Sequence, residues 1–289
     1  MEKHPLNIST PSCVQHAILI QKYRQHRGAD VRRLVLLHGA GVAGETTWMY
    51  LVNYLEEWDE ILIPDFAGMG GKSRFLDIHQ PAINDYARQI QELLIRLEWH
   101  SIDIAGYSFG GMVTHGLMEG GVNIRCAYLI EPAMLFSDQA DQLKEKARQY
   151  RDIAQQLIHG ESGQDIFIRF LDSVSPQRIN NETADRMTVK RLRANSEGFA
   201  RSLQAVSDEI EQRGDYFLQW TAPWPGVSFV GGLTPAFMHQ RHQRLAQESS
   251  DWSYESVPSS DHSLVFTKPR TIAAVMNRHR ARMADSDGQ

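Results

Sequence analysis

The 289-residue chain is poor in cysteine: Cys13 and Cys126 are its only two, too few for a disulfide framework. Neither has a second Cys nearby at metal-ligand spacing. Reduced thiols, no metal site and no other cofactor are the expectation. Long apolar runs are missing as well. The longest purely aliphatic stretch near the N-terminus is Leu34 to Leu37, far short of the roughly 18–20 residues of a membrane span. An excess of positive charge is the third absence. Thirty Lys and Arg against 35 Asp and Glu leave a net charge of −5, so no basic field is available to follow a nucleic-acid backbone. The opening MEKHPLNIST lacks the charged-then-apolar pattern of a secretory signal, which makes a cytoplasmic location the default expectation. What the chain does have is 42% apolar residues, enough to offset chain entropy and build a folded core.

Short apolar runs recur along it, each stopped by Gly, Pro or a polar residue. They are LVLL at 34–37, ILI at 61–63, IDIA at 102–105, CAYLI at 126–130 and VSFV at 227–230. Such runs read as strands buried on both faces. Between them lie helical patterns; Tyr86, Ile90, Leu93, Leu94 and Leu97 recur at three- and four-residue steps over 84–98. Strands alternating with helices predict an α/β fold, a mostly parallel central sheet flanked by helices. The alternation fails once. From Phe136 to Tyr216 the pattern is helical throughout and dense in charge, with 12 basic and 13 acidic residues over 137–214. This predicts an inserted helical cap over 136–216, with 1–135 and 217–289 forming the core. The tail after Ala284, DSDGQ, is expected to fray.

One segment carries chemistry. Gly106-Tyr107-Ser108-Phe109-Gly110-Gly111 fits G-x-S-x-G, follows the IDIA run and precedes a helical stretch. A serine between strand and helix sits on a sharp turn, and the small residues on either side let the backbone pass. Ser108 is the expected nucleophile. Here the chain resembles the α/β-hydrolase superfamily. His38-Gly39 after LVLL is similar to its oxyanion-loop motif. Asp65-Phe66-Ala67-Gly68-Met69-Gly70-Gly71-Lys72-Ser73 is similar to its D-x-x-G-x-G-x-S loop. Asp261-His262-Ser263 follows a plausible last strand, WSYESV. The resemblance implies that His262 is the base and that the backbone N–H groups of Phe109 and Ala40 form the oxyanion hole. It implies a bracing role for His38.

The same resemblance leads one to expect an acid after VSFV, where this chain has Thr234 instead. No Asp or Glu lies between Asp215 and Glu248. Glu131 closes the preceding strand run, CAYLIEP, and some superfamily members carry their acid there. Glu131 is therefore the expected third member. The reading that follows is a serine hydrolase of an ester or thioester of a small or medium-sized metabolite, with a small-molecule substrate as its partner. Lactones and certain carbon–carbon bonds would suit the same site. A ligand-binding relative with slow or no turnover is the alternative. Gly39–Gly44 also satisfies G-x-G-x-x-G, but His38 sits where a dinucleotide-binding strand would be apolar. His239 and His242 lack a third ligand and are expected on a solvated helix face.

Overall fold

The computed structural model describes residues 1–22, 31–178 and 181–286. Among the described residues, nine strands form one sheet: β1 (Glu2–Ser9), β2 (Cys13–Gln21), β3 (Arg33–Leu37), β4 (Glu60–Pro64), β5 (Arg74–Phe75), β6 (Ile102–Tyr107), β7 (Ile124–Ile130), β8 (Gly226–Gly231) and β9 (Trp252–Val257). The order is β1-β2-β4-β3-β6-β7-β8-β9, with β5 paired to β2. Pairing is parallel from β4 through β3, β6, β7 and β8 to β9. Strand β2 runs antiparallel to β4, and β1 antiparallel to β2. The five apolar runs and WSYESV all fall on strands of the parallel part. Their carboxyl ends share one edge of the sheet, where open α/β sheets place ligands.

Helices cover both faces, and each face has its own apolar cluster. Strand residues alternate between them: Val35 and Leu37 face one cluster, Leu34 and Leu36 the other. Helix α1 (Gly44–Val52) packs Trp48, Leu51 and Val52 against one face, joined by α9 (Leu264–Thr267) and α10 (Pro269–Ser286). Helix α2 (Ile83–Arg96) and α3 (Phe109–Glu119) line the other. Helix α8 (Ala236–Glu248) lies between β8 and β9 in the chain. Helix α10 continues through Ser286, so the fraying expected after Ala284 does not begin there; residues 287–289 lie outside the described residues.

The stretch after β7 contains no strand among the described residues. A short 3-10 turn at Ala133–Leu135 leads to α4 (Ala140–Ile158), α5 (Gln164–Val174), α6 (Glu182–Ala194) and α7 (Ser196–Gln219). Helix α7 runs past the expected limit at Tyr216. Leu143, Ala147, Tyr150 and Ala154 of α4 share one apolar cluster with Phe199, Leu203, Val206 and Ile210 of α7, the three- and four-residue spacing of packed helix faces. Helix α7 is kinked at Arg213 (φ −131°, ψ 15°). There the Arg213 guanidinium grips both oxygens of Glu119 on α3, at 2.6 and 2.7 Å. At the other end of the helical segment, a β-carbon added to Gly41 would lie 2.7 Å from Leu192 Cδ2 and 2.8 Å from Phe199 Cδ2. The helices thus press directly on the glycine loop that follows β3. No helix among the described residues is long and apolar enough to cross a membrane.

Candidate active site

Three strand ends build the site. Strand β6 ends at Tyr107, and the chain turns straight into α3 with Ser108 at φ 52°, ψ −112°. A side chain in this region is strained, and such strain is usually retained where the side chain must be presented. The turn works only because its flanks are glycines. A β-carbon on Gly110 would stand 2.4 Å from the Leu37 carbonyl oxygen, and one on Gly106 2.7 Å from the Gly110 oxygen. Phe109 opens α3, so its N–H belongs to the first turn, which has no partner within the helix.

Strand β7 ends at Ile130, and Glu131 also has a positive φ, 40°. Its N–H donates to Phe229 O at 3.0 Å, which clamps it to the end of β8. The side chain is 1% exposed. His262 comes from the loop between β9 and α9. Its Nδ1 lies 2.6 Å from Glu131 Oε2, and its Nε2 lies 3.1 Å from Ser108 Oγ. A carboxylate can only accept, so the ring proton sits on Nδ1 and Nε2 is left to accept from the serine hydroxyl. Ser108, His262 and Glu131 therefore form one hydrogen-bonded line.

Thr234 stands where the resemblance calls for an acid, and it also belongs to the site. Its hydroxyl donates to Glu131 Oε1. The Gly231 N–H donates to the same oxygen at 2.7 Å. Both oxygens of the buried carboxylate are thus engaged, one by the imidazole and one by two neutral donors. Tyr107 was not anticipated. Its hydroxyl donates to the His262 carbonyl at 2.9 Å and its ring lies beside the imidazole. Burial, reinforced by the nearby Glu131 charge, pushes the phenol well above its usual range, so it stays a donor. A tyrosine inside the pentapeptide was the available signal. Asp261 does not reach the imidazole; its Oδ1 accepts from the Ser263 N–H at 2.8 Å.

The glycine loop carrying Ala40 lies against the serine, since a β-carbon on Gly39 would be 3.5 Å from Ser108 Cβ. His38 is fully buried and holds this loop. Its Nδ1 donates to Gly39 O at 2.7 Å, and its Nε2 accepts the Phe66 N–H at 2.9 Å. Burial lowers its pKa, which keeps the ring neutral and able to serve both bonds. Asp65 adds a second brace, accepting the Gly44 N–H at 2.7 Å.

One expectation fails. His242 does not lie on a solvated face; it is fully buried, and neither ring nitrogen finds a hydrogen-bond partner among the described residues. Helix α8 turns Met238, Arg241, His242 and Leu245 inward. Their spacing is that of an apolar stripe, although two of the four are polar. Burial drives the His242 pKa down to about 3. His239 instead bonds Tyr254.

Among solved structures, the chain superposes on a haloalkane dehalogenase loop variant from Bradyrhizobium elkanii with a TM-score of 0.68 and 17% identity, covering 100% of this chain and 99% of that one. A hydrolase from Pseudomonas aeruginosa superposes with a TM-score of 0.67 and 18% identity, covering 96% and 97%. At this identity the likeness is one of fold. No curated protein sequence matches the chain. The alpha/beta hydrolase family profile matches residues 34–275. That span runs from β3 to α10 and takes in the serine turn, both glycine loops, the helical segment and the histidine loop; the chain belongs to the alpha/beta hydrolase family.

Proposed function

We propose that the protein is a serine hydrolase of an ester or thioester of a small or medium-sized metabolite, acting in the cytoplasm through Ser108, His262 and Glu131. The observation that carries this reading is the unbroken line from Glu131 through His262 to Ser108, at 2.6 and 3.1 Å. His262 Nε2 takes the proton as Ser108 Oγ adds to the acyl carbon. Glu131, already bound to Nδ1, stabilises the imidazolium that forms. The oxygen of the tetrahedral intermediate is received by the N–H groups of Phe109 and Ala40. Collapse returns the proton to the leaving alcohol or thiol and leaves an acyl-serine. Water, deprotonated by the same imidazole, then releases the acid.

Serine chemistry favours acyl transfer over displacement at a saturated carbon. Attack of Ser108 on a halogen-bearing carbon would leave an alkyl ether, which water cannot release through a tetrahedral intermediate. An acyl ester can be released in that way. The haloalkane substrate in the name of the Bradyrhizobium elkanii neighbour is therefore not transferred to this chain.

Ser108→Ala is expected to abolish hydrolysis of p-nitrophenyl acetate, by several orders of magnitude, with an unchanged circular dichroism spectrum. Labelling by a fluorophosphonate should vanish in the same variant. Unchanged turnover in purified Ser108→Ala protein would refute the mechanism. A wild-type protein that neither turns over nor labels would instead be a ligand-binding relative.

A further inference from the structure

A cavity of about 330 Å³ lies on the helical segment, lined by Gln164, Arg186, Val189, Lys190, Arg193 and Ala194. Its volume is in the range of small-molecule sites. Three of its six walls are cations, and none is an acid. Arg186, Lys190 and Arg193 stand at i, i+4 and i+7 of α6, which puts them on one helix face. No ion pair engages any of the three among the described residues. Glu182, at i−4 from Arg186, is the acid on that face, while Asp185 is held by Arg178 at 2.6 Å. Arg193 also stacks its guanidinium over Phe167, 5.7 Å from the ring centroid. In a chain of net charge −5, three cations without an ion pair around one cavity favour an anion there.

The position of α6 says which anion. Leu192, between Lys190 and Arg193, presses on Gly41 of the glycine loop beside Ser108. The Asn195 side chain at the end of α6 donates to Gly41 O at 3.4 Å. The helix that carries the three cations thus also touches the loop beside the serine. We infer that Arg186, Lys190 and Arg193 bind a phosphate-bearing leaving group of the substrate, while its acyl end lies at Ser108. This rests on the hydrolase reading above and narrows it to thioesters or esters whose alcohol or thiol carries phosphate. Guanidinium groups match phosphate oxygens in pairs, and the lysine adds a point charge.

The test uses free coenzyme A, which carries phosphates, and pantetheine, the same thiol arm without them. Calorimetric titration of the wild-type protein should give a dissociation constant at least tenfold lower for coenzyme A. The exposed double substitution Arg186→Glu with Lys190→Glu should erase that difference, with the thermal midpoint of the variant confirming its fold. Equal affinity for the two thiols, or coenzyme A binding that survives the double substitution, would overturn the inference. Neither thiol needs to be hydrolysed, so this result is independent of Ser108. A second arm compares acetyl-coenzyme A with S-acetylpantetheine. The double substitution should raise KM at least tenfold for the first and leave their kcat values alike. If wild-type protein binds coenzyme A but cleaves neither thioester, the hydrolase reading fails while the anion site stands. If it cleaves both with equal KM, the hydrolase reading stands and the anion site fails as a substrate site.

Discussion

Two carboxylates are buried in neighbouring strands of this sheet, at opposite ends. Asp103 is the second residue of β6, and Glu131 follows the last residue of β7; they are 0% and 1% exposed. Asp103 is surrounded by permanent positive charge. Arg280 Nε donates to it at 2.8 Å and Arg125 approaches at 3.3 Å, with the Trp58 indole donating at 2.7 Å. Glu131 has no such cation among its contacts. Its partners are a hydroxyl, a backbone N–H and an imidazole. The charge of Asp103 is spent on holding two arginines in the fold. On the proposed reading, that of Glu131 is left for a proton that arrives at His262 during the reaction. Burial alone does not mark a functional acid; the distinction lies in whether its partner can change charge.

The comparison can be broken from either end. The largest effect is expected at Glu131. Glu131→Gln keeps the shape and the Thr234 and Gly231 contacts, yet has no charge to set against the imidazolium and can impose the wrong tautomer. Turnover of p-nitrophenyl acetate should fall by ~10²–10⁴-fold, by analogy with loss of the acid from a Ser-His-Asp triad. The unfolding free energy should change far less. Full activity in Glu131→Gln would reassign the acid.

At the other end the signature inverts. Asp103→Asn leaves buried Arg280 and half-buried Arg125 without a counter-charge, and breaking a buried pair costs about 3–5 kcal/mol. Urea denaturation should show that loss, while the rate per folded molecule stays within about twofold of wild type. A large drop in rate with unchanged stability would collapse the distinction between the two carboxylates.

The smallest effect concerns pH. His242 is buried like the two acids but has neither an ion pair nor a line of partners. Its folded pKa of about 3 lies below the unfolded value near 6.5. The unfolded chain therefore binds the extra proton first as pH falls. Stability from this group is complete above about pH 6.5, declines by about 1.4 kcal/mol per pH unit below it, and levels off near pH 3. His115, lowered to about 4 by burial, and His38, also lowered by burial, act in the same direction. Between pH 7 and pH 5, His242→Leu should lose about 2 kcal/mol less unfolding free energy than wild type. Parallel stability profiles for the two proteins would refute it.

Much of this was legible in the order of residues. Apolar runs announced five strands of the parallel part, because strands covered on both faces need no polar alternation. The serine turn was legible because its backbone tolerates little but glycine at Gly106 and Gly110. The β1–β2 hairpin was not. Strand β1 is an edge with Pro5 inside it and mostly exposed side chains, so no apolar run marks it. His242 misled because a polar residue at an inward helical position looks solvated until the neighbouring strands are in place. Thr234 read as a vacancy in the usual acid position. Only the proximity of two strand ends shows that the Thr234 hydroxyl donates to Glu131, a relation of space that spacing along the chain cannot express.

The position of Glu131 before the helical segment bears on how the protein can vary and how it is made. Ser108 and Glu131 both precede the helical segment, and only His262 follows it. Lengthening, shortening or replacing the helices between β7 and β8 therefore leaves the serine and its acid joined by the same 22 intervening residues of uninterrupted core. Only one joint of the candidate site, the imidazole, has to find its place across whatever the helical segment becomes. During synthesis, too, Ser108 and Glu131 are laid down on adjacent strands before the first residue of that segment leaves the ribosome, and His262 is delivered last, beside a carboxylate already in place.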